Sequence, residues 1–394
     1  MSLLLTLNAG SSSLKFAAFD ADAVKAPAHL RGVVEDLGGI PRLQAHDAGS
    51  NEAGSREWPA GTGRDALLDD LLGWMTAHLG QDRLAAVGHR VVHGGRKFVT
   101  PVRVDAAVLD ALDALAPLAP LHQPHNLAPM RALQRLRPGV AQVACFDTAF
   151  HHAMPDVAAD LALPRDLAAR GLRRYGFHGL SYEFVAGRLA ELSPRLASGR
   201  TVLAHLGNGA SLCALLAGRS VDTTMGFSTL DGLVMGTRCG ALDPGAVLYM
   251  LQSLDMDAAA VEQALYYRSG LLGVSGISGD MRALRASDGA EAQAQAQAAI
   301  ALFVHRLAQQ AAAMAASLGG IDGIVFTGGI GEHDAMLRAA ACERLAWLGI
   351  ALDPAANRAA SGRISADASA VEAWVIPTDE EVIIARHTAA ALAS

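Results

Sequence analysis

Arg90 sits in Gly88-His89-Arg90-Val91-Val92-His93-Gly94-Gly95, an apolar stretch that ends in two glycines. A guanidinium there is costly unless it meets an anionic partner or opens into a cleft that binds one. Arg238, in Met235-Gly236-Thr237-Arg238-Cys239-Gly240, stands between glycines that let a ligand approach closely. Taken alone, Arg90 is equally half of a structural ion pair, and Arg238 equally a surface-loop residue. Asp147, ending Cys145-Phe146-Asp147-Thr148, has the chemistry to bind Mg2+ or orient a nucleophile, or else it caps a following helix. His178, in Arg173-Arg174-Tyr175-Gly176-Phe177-His178-Gly179, is either a working imidazole or a satisfied, partly buried histidine.

Three glycine-bearing turns accompany these side chains: Asn8 to Ser13, Gly207-Asn208-Gly209, and Thr327-Gly328-Gly329-Ile330-Gly331-Glu332. Such turns offer backbone N–H groups to an anion with no Cβ in the way, and a following helix adds its positive end. Any one is an ordinary tight turn; three, each after an apolar strand, point to phosphate. The GxxxxGK[ST] pattern is absent, so a phosphate must be cradled by hairpin turns. No His or Cys group has zinc-ligand spacing, His151-His152 and His122/His125 included, and Ser11 to Ser13 lack the GxSxG elbow.

The elements that must position these groups are readable. Leu3–Leu7 and Leu14–Phe19 read as a strand hairpin, Val202–Leu216 as a second that echoes it, and Ala85–Val92, Val140–Phe146 and Gly323–Phe326 as buried strands. Asp65–His78 and Val104–Leu115 have helical apolar spacing. Residues 22 to 60 read as hairpins and surface loops, Leu118 to Leu127 as a Pro-rich loop, and Thr327 to Glu332 as a turn ahead of a helix. Polar groups at the ends of apolar strands are where α/β enzymes put their chemistry.

With 394 residues, 51% of them hydrophobic and 18% charged, the chain has enough apolar material for two domains and too little charge for disorder. A net charge of -7 without basic runs argues against a nucleic-acid partner, and the apolar windows are too short or too interrupted for a membrane span. Four scattered cysteines, Cys145, Cys213, Cys239 and Cys342, fit a reducing cytoplasm.

Taken in order, Asn8-Ala9-Gly10-Ser11-Ser12-Ser13-Leu14-Lys15, His89 to Gly95, Phe146 to His151, Arg174 to Gly179, His205 to Ser211, Met235 to Arg238 and Phe326 to Glu332 resemble the acetate kinase family, of the acetate and sugar kinase, chaperone and actin superfamily. The resemblance spans nearly the whole chain. It implies an α/β fold of two duplicated actin-like (ribonuclease H-like) domains with a nucleotide cleft between them, 1–147 plus 383–394 on the acyl and phosphate side and 148–382 on the nucleotide side. It also implies reversible in-line transfer of the ATP γ-phosphoryl group to acetate, giving acetyl phosphate and ADP, with Mg2+ or Mn2+, in a cytoplasmic homodimer; propionate or butyrate is the alternative acceptor. The chemistry suits these residues, because an acceptor carboxylate is already ionised and needs alignment and charge neutralisation rather than a base.

By the same resemblance Arg90 holds the carboxylate, while Arg238 and His178 stabilise the phosphoryl oxygens and Asp147 orients Arg or metal. Val92, Leu121, His122, Phe177 and Thr229 wall the acyl group. Ser11, Ser13 and Lys15 face the phosphates, and His205, Leu206, Gly207, Asn208, Gly209, Asp280, Met281, Arg282, Gly328, Gly329, Ile330, Gly331 and Glu332 contact the nucleotide. Asn8 and Glu380 hold the metal. The chain departs from the family pattern at Gln123 (usually Asn), Thr229 (usually Pro), Ala241 (usually Asp) and Gly279 (usually Asn). A sugar kinase would use Asp147 as a base, and a non-enzymatic nucleotide module would leave the arginines unexplained.

Overall fold

A computed structural model describes residues 2–10, 12–24, 26–79 and 83–393. The chain forms two compact units, 1–152 with 379–394, and 153–378, so Glu380 belongs to the first.

In the first unit, β1 (Ser2–Ala9), β2 (Leu14–Asp20), β3 (Leu30–Glu35), β4 (Arg42–Asp47), β5 (Glu52–Glu57), β6 (Arg83–Val91), β7 (Val102–Arg103) and β8 (Ala141–Phe146) make one sheet of order β5-β4-β3-β2-β1-β6-β8-β7. Strands β1 to β5 form an antiparallel meander, while β1, β6 and β8 run parallel. Alternate residues go to opposite faces. Leu5 and Leu7 of β1 and Leu14 and Phe16 of β2 join Leu67, Leu71, Ala132 and Leu133 of the helices Arg64–Leu79 and Gln123–Leu136. Ala17 and Phe19 pack instead against Ala385 of the helix Glu380–Ala393. A sheet covered on both faces explains why β1 and β8 read as continuous apolar runs.

The second unit has β9 (Arg200–Leu206), β10 (Ala210–Leu216), β11 (Arg219–Thr223), β12 (Gly323–Thr327), β13 (Gly362–Arg363) and β14 (Glu372–Val375), in the order β11-β10-β9-β12-β14-β13. Here too the first three strands are antiparallel, and β9, β12 and β14 run parallel. This reproduces β3-β2-β1-β6-β8 strand for strand. Even the short antiparallel edge strand recurs, β7 on β8 and β13 on β14. The hairpin echo is therefore a duplicated five-strand core, with the helix Ala290–Ser317 packed against β9 to β11.

Two expectations need correction. The Leu118–Leu127 stretch is not all loop, because the helix Gln123–Leu136 starts within it. Pro124 lies in its first turn, where a missing N–H costs nothing, and Asn126, Leu127, Met130 and Leu133 form the buried face. Residues 328 to 331 are not a turn before a helix but the first residues of the helix Gly328–His333. Gly328 has φ +77°, and a Cβ there would stand 2.8 Å from the Leu206 carbonyl oxygen, so only glycine passes from β12 into this helix.

Candidate active site

Because β1, β6 and β8 are parallel and in register, Asn8, Arg90 and Asp147 emerge together at their carboxyl ends. The Asp147 N–H continues the ladder onto the Val91 carbonyl at 3.0 Å. Arg90 Nε donates to Asp147 Oδ1 at 3.0 Å and Nη2 to Oδ2 at 2.6 Å, a side-on pair. Its Nη1 donates to Asn8 Oδ1 at 3.1 Å, and Asn8 Nδ2 donates to Glu380 Oε2 at 3.1 Å. Glu380 Oε2 itself lies 3.8 Å from Arg90 Nε. Asp147 is thus an arginine partner and not a helix cap.

Electrostatics keep the cluster charged but finely balanced. Burial pushes the Asp147 carboxyl up to about 6 against the pull of Arg90. Burial also works against the Arg90 charge, yet Asp147 and Glu380 outweigh it and hold the guanidinium above its ordinary range. The Arg90 side chain keeps 20% exposure, and its three hydrogen-bonded nitrogens leave N–H groups on Nη1 and Nη2 that can take a carboxylate.

Around it the helix Gln123–Leu136 acts as a clamp. The Val92 N–H donates to Asn126 Oδ1 at 2.9 Å, and Asn126 Nδ2 to the Ala9 carbonyl at 2.6 Å, tying β6 to β1. Gln123, fully buried, donates to the carbonyls of His93 and Leu112. The side chain that departs from the family pattern therefore ties the start of this helix to the backbone at His93 and Leu112. Asn126 carried no signal beyond its polarity on an otherwise apolar helical face. In the hairpin turn the Ser13 carbonyl accepts from Gly10 at 2.8 Å. Lys15 is exposed on β2, opposite Asn8 in register, while Ser11 lies outside the described residues.

The second unit brings a different set together. His178 has a left-handed backbone, φ 58°, immediately before the helix Gly179–Leu192, and follows the buried Phe177. Its Nδ1 lies 2.8 Å from Ser211 Oγ, and its ring stacks on His205 with centroids 4.3 Å apart. Arg238 Nη1 donates to the Thr229 carbonyl at 2.8 Å, so the Thr229 backbone anchors the arginine while its side chain is buried. A Cβ on Gly209 would lie 3.2 Å from both Arg238 Nη2 and His178 Nε2. Both cationic or hydrogen-donating tips thus converge on one bare stretch of backbone.

Nearby, in the same unit, opens a groove of about 890 Å³. Gly207, Asn208, Asp280, Met281, Arg282, Gly329 and Ile330 line it, joined by Gly279 and by Arg285, Ala286, Asp334 and Met336, the last four of which the motifs did not flag. That volume suits a nucleotide-sized ligand. Leu206, Gly328 and Gly331 are buried behind it, and Glu332 Oε1 is turned inward to accept from the N–H groups of Gly328 at 2.8 Å and Thr378 at 3.2 Å. His205 Nδ1 is held by Ser181 Oγ at 2.8 Å. Gly279 packs on Gly236, where a Cβ at 279 would meet the Gly236 carbonyl oxygen at 2.8 Å; the asparagine of the family pattern does not fit this backbone.

Sequence reading also missed Arg338, the largest fully buried side chain. It donates to the carbonyls of Gly331 and Glu332 at 2.8 and 2.9 Å and to Asn357 Oδ1 at 2.8 Å, fixing the end of the glycine-rich helix. The only available signal was an arginine among Leu337, Ala341 and Cys342 on an apolar face.

A paired guanidinium with donors to spare in one unit, and a histidine and an arginine beside a nucleotide-sized groove in the other, are the equipment of a phosphotransferase with a carboxyl acceptor. The model of the acetokinase family matches residues 3–386. The chain is 53% identical over 390 residues to an acetate kinase of Rhodopseudomonas palustris, covering 98% of this chain and 97% of that one, and 48% identical to one of Rhizobium meliloti, covering 100% and 99%. It superimposes on a Porphyromonas gingivalis acetate kinase with TM-score 0.88 at 35% identity, covering 100% of each chain. A propionate kinase from Francisella tularensis gives 0.90 at 34% identity, covering 98% of this chain and 99% of that one. The chain belongs to the acetokinase family. Among the described residues no helix is long and apolar enough to cross a membrane.

Proposed function

We propose that this chain transfers the γ-phosphoryl group of ATP reversibly to acetate, forming acetyl phosphate and ADP. The observation that carries the reading is the convergence of His178 Nε2 and Arg238 Nη2 on Gly209, in a chain whose close relatives bear the name acetate kinase. Arg90 takes the carboxylate on its remaining N–H groups and turns one oxygen toward the phosphorus. Asp147 and Asn8 keep the guanidinium in place. His178 and Arg238 bind the equatorial oxygens as charge spreads onto them, so alignment and electrostatics supply the rate. To the acyl group we assign Val92, Leu121 and His122 of the first unit and Phe177 and Thr229 of the second, as the family resemblance implies. Ser13, Lys15 and Ser11 serve the phosphates, and the residues of the 890 Å³ groove hold the nucleoside.

The donor set fits Mg2+ or Mn2+. Asn8 and Glu380 carry amide and carboxylate oxygens, hard ligands that such ions take one or two at a time beside water and phosphate, and an ion here would share Asn8 Oδ1 with Arg90 Nη1. When bound, the ion neutralises phosphate charge. We also read the chain as a cytoplasmic homodimer. The helix Pro244–Gln252 buries none of its own residues, Leu248, Tyr249, Leu254 and Tyr267 are exposed apolar surface for a second copy, and none of the four cysteines is in a disulfide. Sedimentation at micromolar concentration tests the dimer, and a monomer counts against it.

Propionate is the second reading, because Thr229 replaces the proline of the family pattern beside the acyl group. Hydroxylamine trapping of acyl phosphate from Mg-ATP with acetate, propionate and butyrate decides between them. The proposal expects the highest kcat/KM on acetate. A preference for propionate moves the specificity, and no trapped product with any acid removes the kinase.

A further inference from the structure

His178 does not stand alone. Ser211 Oγ lies 2.8 Å from its Nδ1, and on the far side of that serine the hydroxyl of Tyr182 is in hydrogen-bond contact with the same Oγ. Both Ser211 and Tyr182 are fully buried. The phenol oxygen also takes a hydrogen bond from the backbone of His205, and burial keeps the phenol protonated well above its usual range.

These contacts run in one direction. A phenol oxygen that accepts a backbone N–H has its own O–H to give, and Ser211 Oγ is in hydrogen-bond contact with it, so we take the phenol as the donor of that pair. Ser211, accepting from Tyr182, turns its proton to His178 Nδ1. An Nδ1 that accepts cannot carry the ring proton of a neutral imidazole, so the proton sits on Nε2. Nε2 is the atom that, like Arg238 Nη2, faces the bare backbone of Gly209. We propose that Tyr182 and Ser211 are positioning residues that hold His178 as the Nε2–H tautomer, so that a neutral ring presents a hydrogen-bond donor to the transferring phosphoryl group. The proposal rests on the reading of His178 given under Proposed function. It also explains a serine and a tyrosine with no place in the sequence motifs' chemistry: Tyr182 follows His178 by four residues, one helical turn into Gly179–Leu192, and Ser211 pairs with His205 across β9 and β10.

Histidine-selective 15N labelling of the full chain, with long-range proton–nitrogen correlations, reads the tautomer directly, and loss of signals in His178→Gln assigns them. The expected wild-type state is neutral Nε2–H, whatever the activity. Ser211→Ala should give a mixture or Nδ1–H and lower kcat about ten- to a hundredfold, with both KM values unchanged. Tyr182→Phe, which removes one oxygen, should shift the tautomer the same way by less. An Nδ1–H ring in the wild type, or an unchanged tautomer and kcat in Ser211→Ala, overturns the proposal even where His178→Gln is inactive. A fully active His178→Gln overturns the phosphoryl role of His178 and the proposal with it.

Discussion

The two units carry the same five-strand core, yet the ends of corresponding strands do opposite things. At the carboxyl ends of β1 and β6 the first unit presents Asn8 and Arg90, tied to Asp147 and Glu380 by hydrogen bonds of 2.6 to 3.1 Å. After β9 and β12 the second presents Asn208 and Gly328, glycine backbone and an open groove. Asn8 is buried with both ends of its amide engaged; Asn208, at the matching hairpin, is exposed on the groove wall. A site that must grip a small anion needs a guanidinium, and here two carboxylates hold that guanidinium in place. A site that receives a ligand carrying its own charges needs space and N–H groups instead. Duplication supplied the frame twice, and the buried arginine–carboxylate cluster stands at the strand ends of the first unit.

The largest effects should come from the two arginines, and they should differ in kind. Arg90→Ala and Arg238→Ala should each cut acyl phosphate formation about 10³-fold or more. Arg90→Ala should also cost about 3 kcal/mol of stability, because Asp147 stays buried without its partner. Arg238→Ala, which leaves no buried carboxylate behind when its bond to the Thr229 carbonyl goes, should cost about 1 kcal/mol. Thermal melts beside the assay check this, and equal destabilisation would break the contrast between the units.

Next comes Gly209→Ala. Its methyl would displace Arg238 and His178 and should lower kcat about 10²-fold with little change in melting temperature. Wild-type kcat in this variant would mean the two tips do not work where they meet.

Asp147 should make the first unit respond to acid. The Asp147 carboxyl, pushed up by burial from 3.8 to about 6, ionises only above that pH, so kcat/KM should fall as pH drops through about 6. Stability moves the other way. Between 3.8 and about 6 the folded chain binds a proton that the unfolded chain has lost, so this group's contribution declines as pH rises across that window. Asp147→Asn should abolish that slope in pH-dependent melts, and a slope that survives would reassign it.

The smallest effect is expected from Gln123→Asn, which shortens the clamp on the His93 and Leu112 carbonyls. It should cost about 1 kcal/mol and leave the KM for ATP unchanged.

Much of this was legible beforehand. Strands covered on both faces leave continuous apolar runs, so β1, β6, β8, β9 and β12 and the polar residues at their ends could be read directly, Arg90 and Asp147 among them. The helix Gln123–Leu136 was hidden by Pro124 and Pro129 and by a polar first turn, although its apolar spacing was there. Asn8 and Glu380 are 372 positions apart, and only the family resemblance linked them. Ser211, Tyr182, Asn126 and Arg338 were out of reach for a different reason. Their residue types are common, and their roles arise from which hydroxyl, carbonyl or ring the fold sets beside them.

Binding and turnover in Arg90→Lys test the division of labour most directly, because lysine keeps a charge beside Asp147 but loses the planar fork. The account predicts a raised KM for acetate and a lowered kcat, with the Kd for ATP unchanged by equilibrium titration. A weakened Kd for ATP together with an unchanged KM for acetate would contradict it.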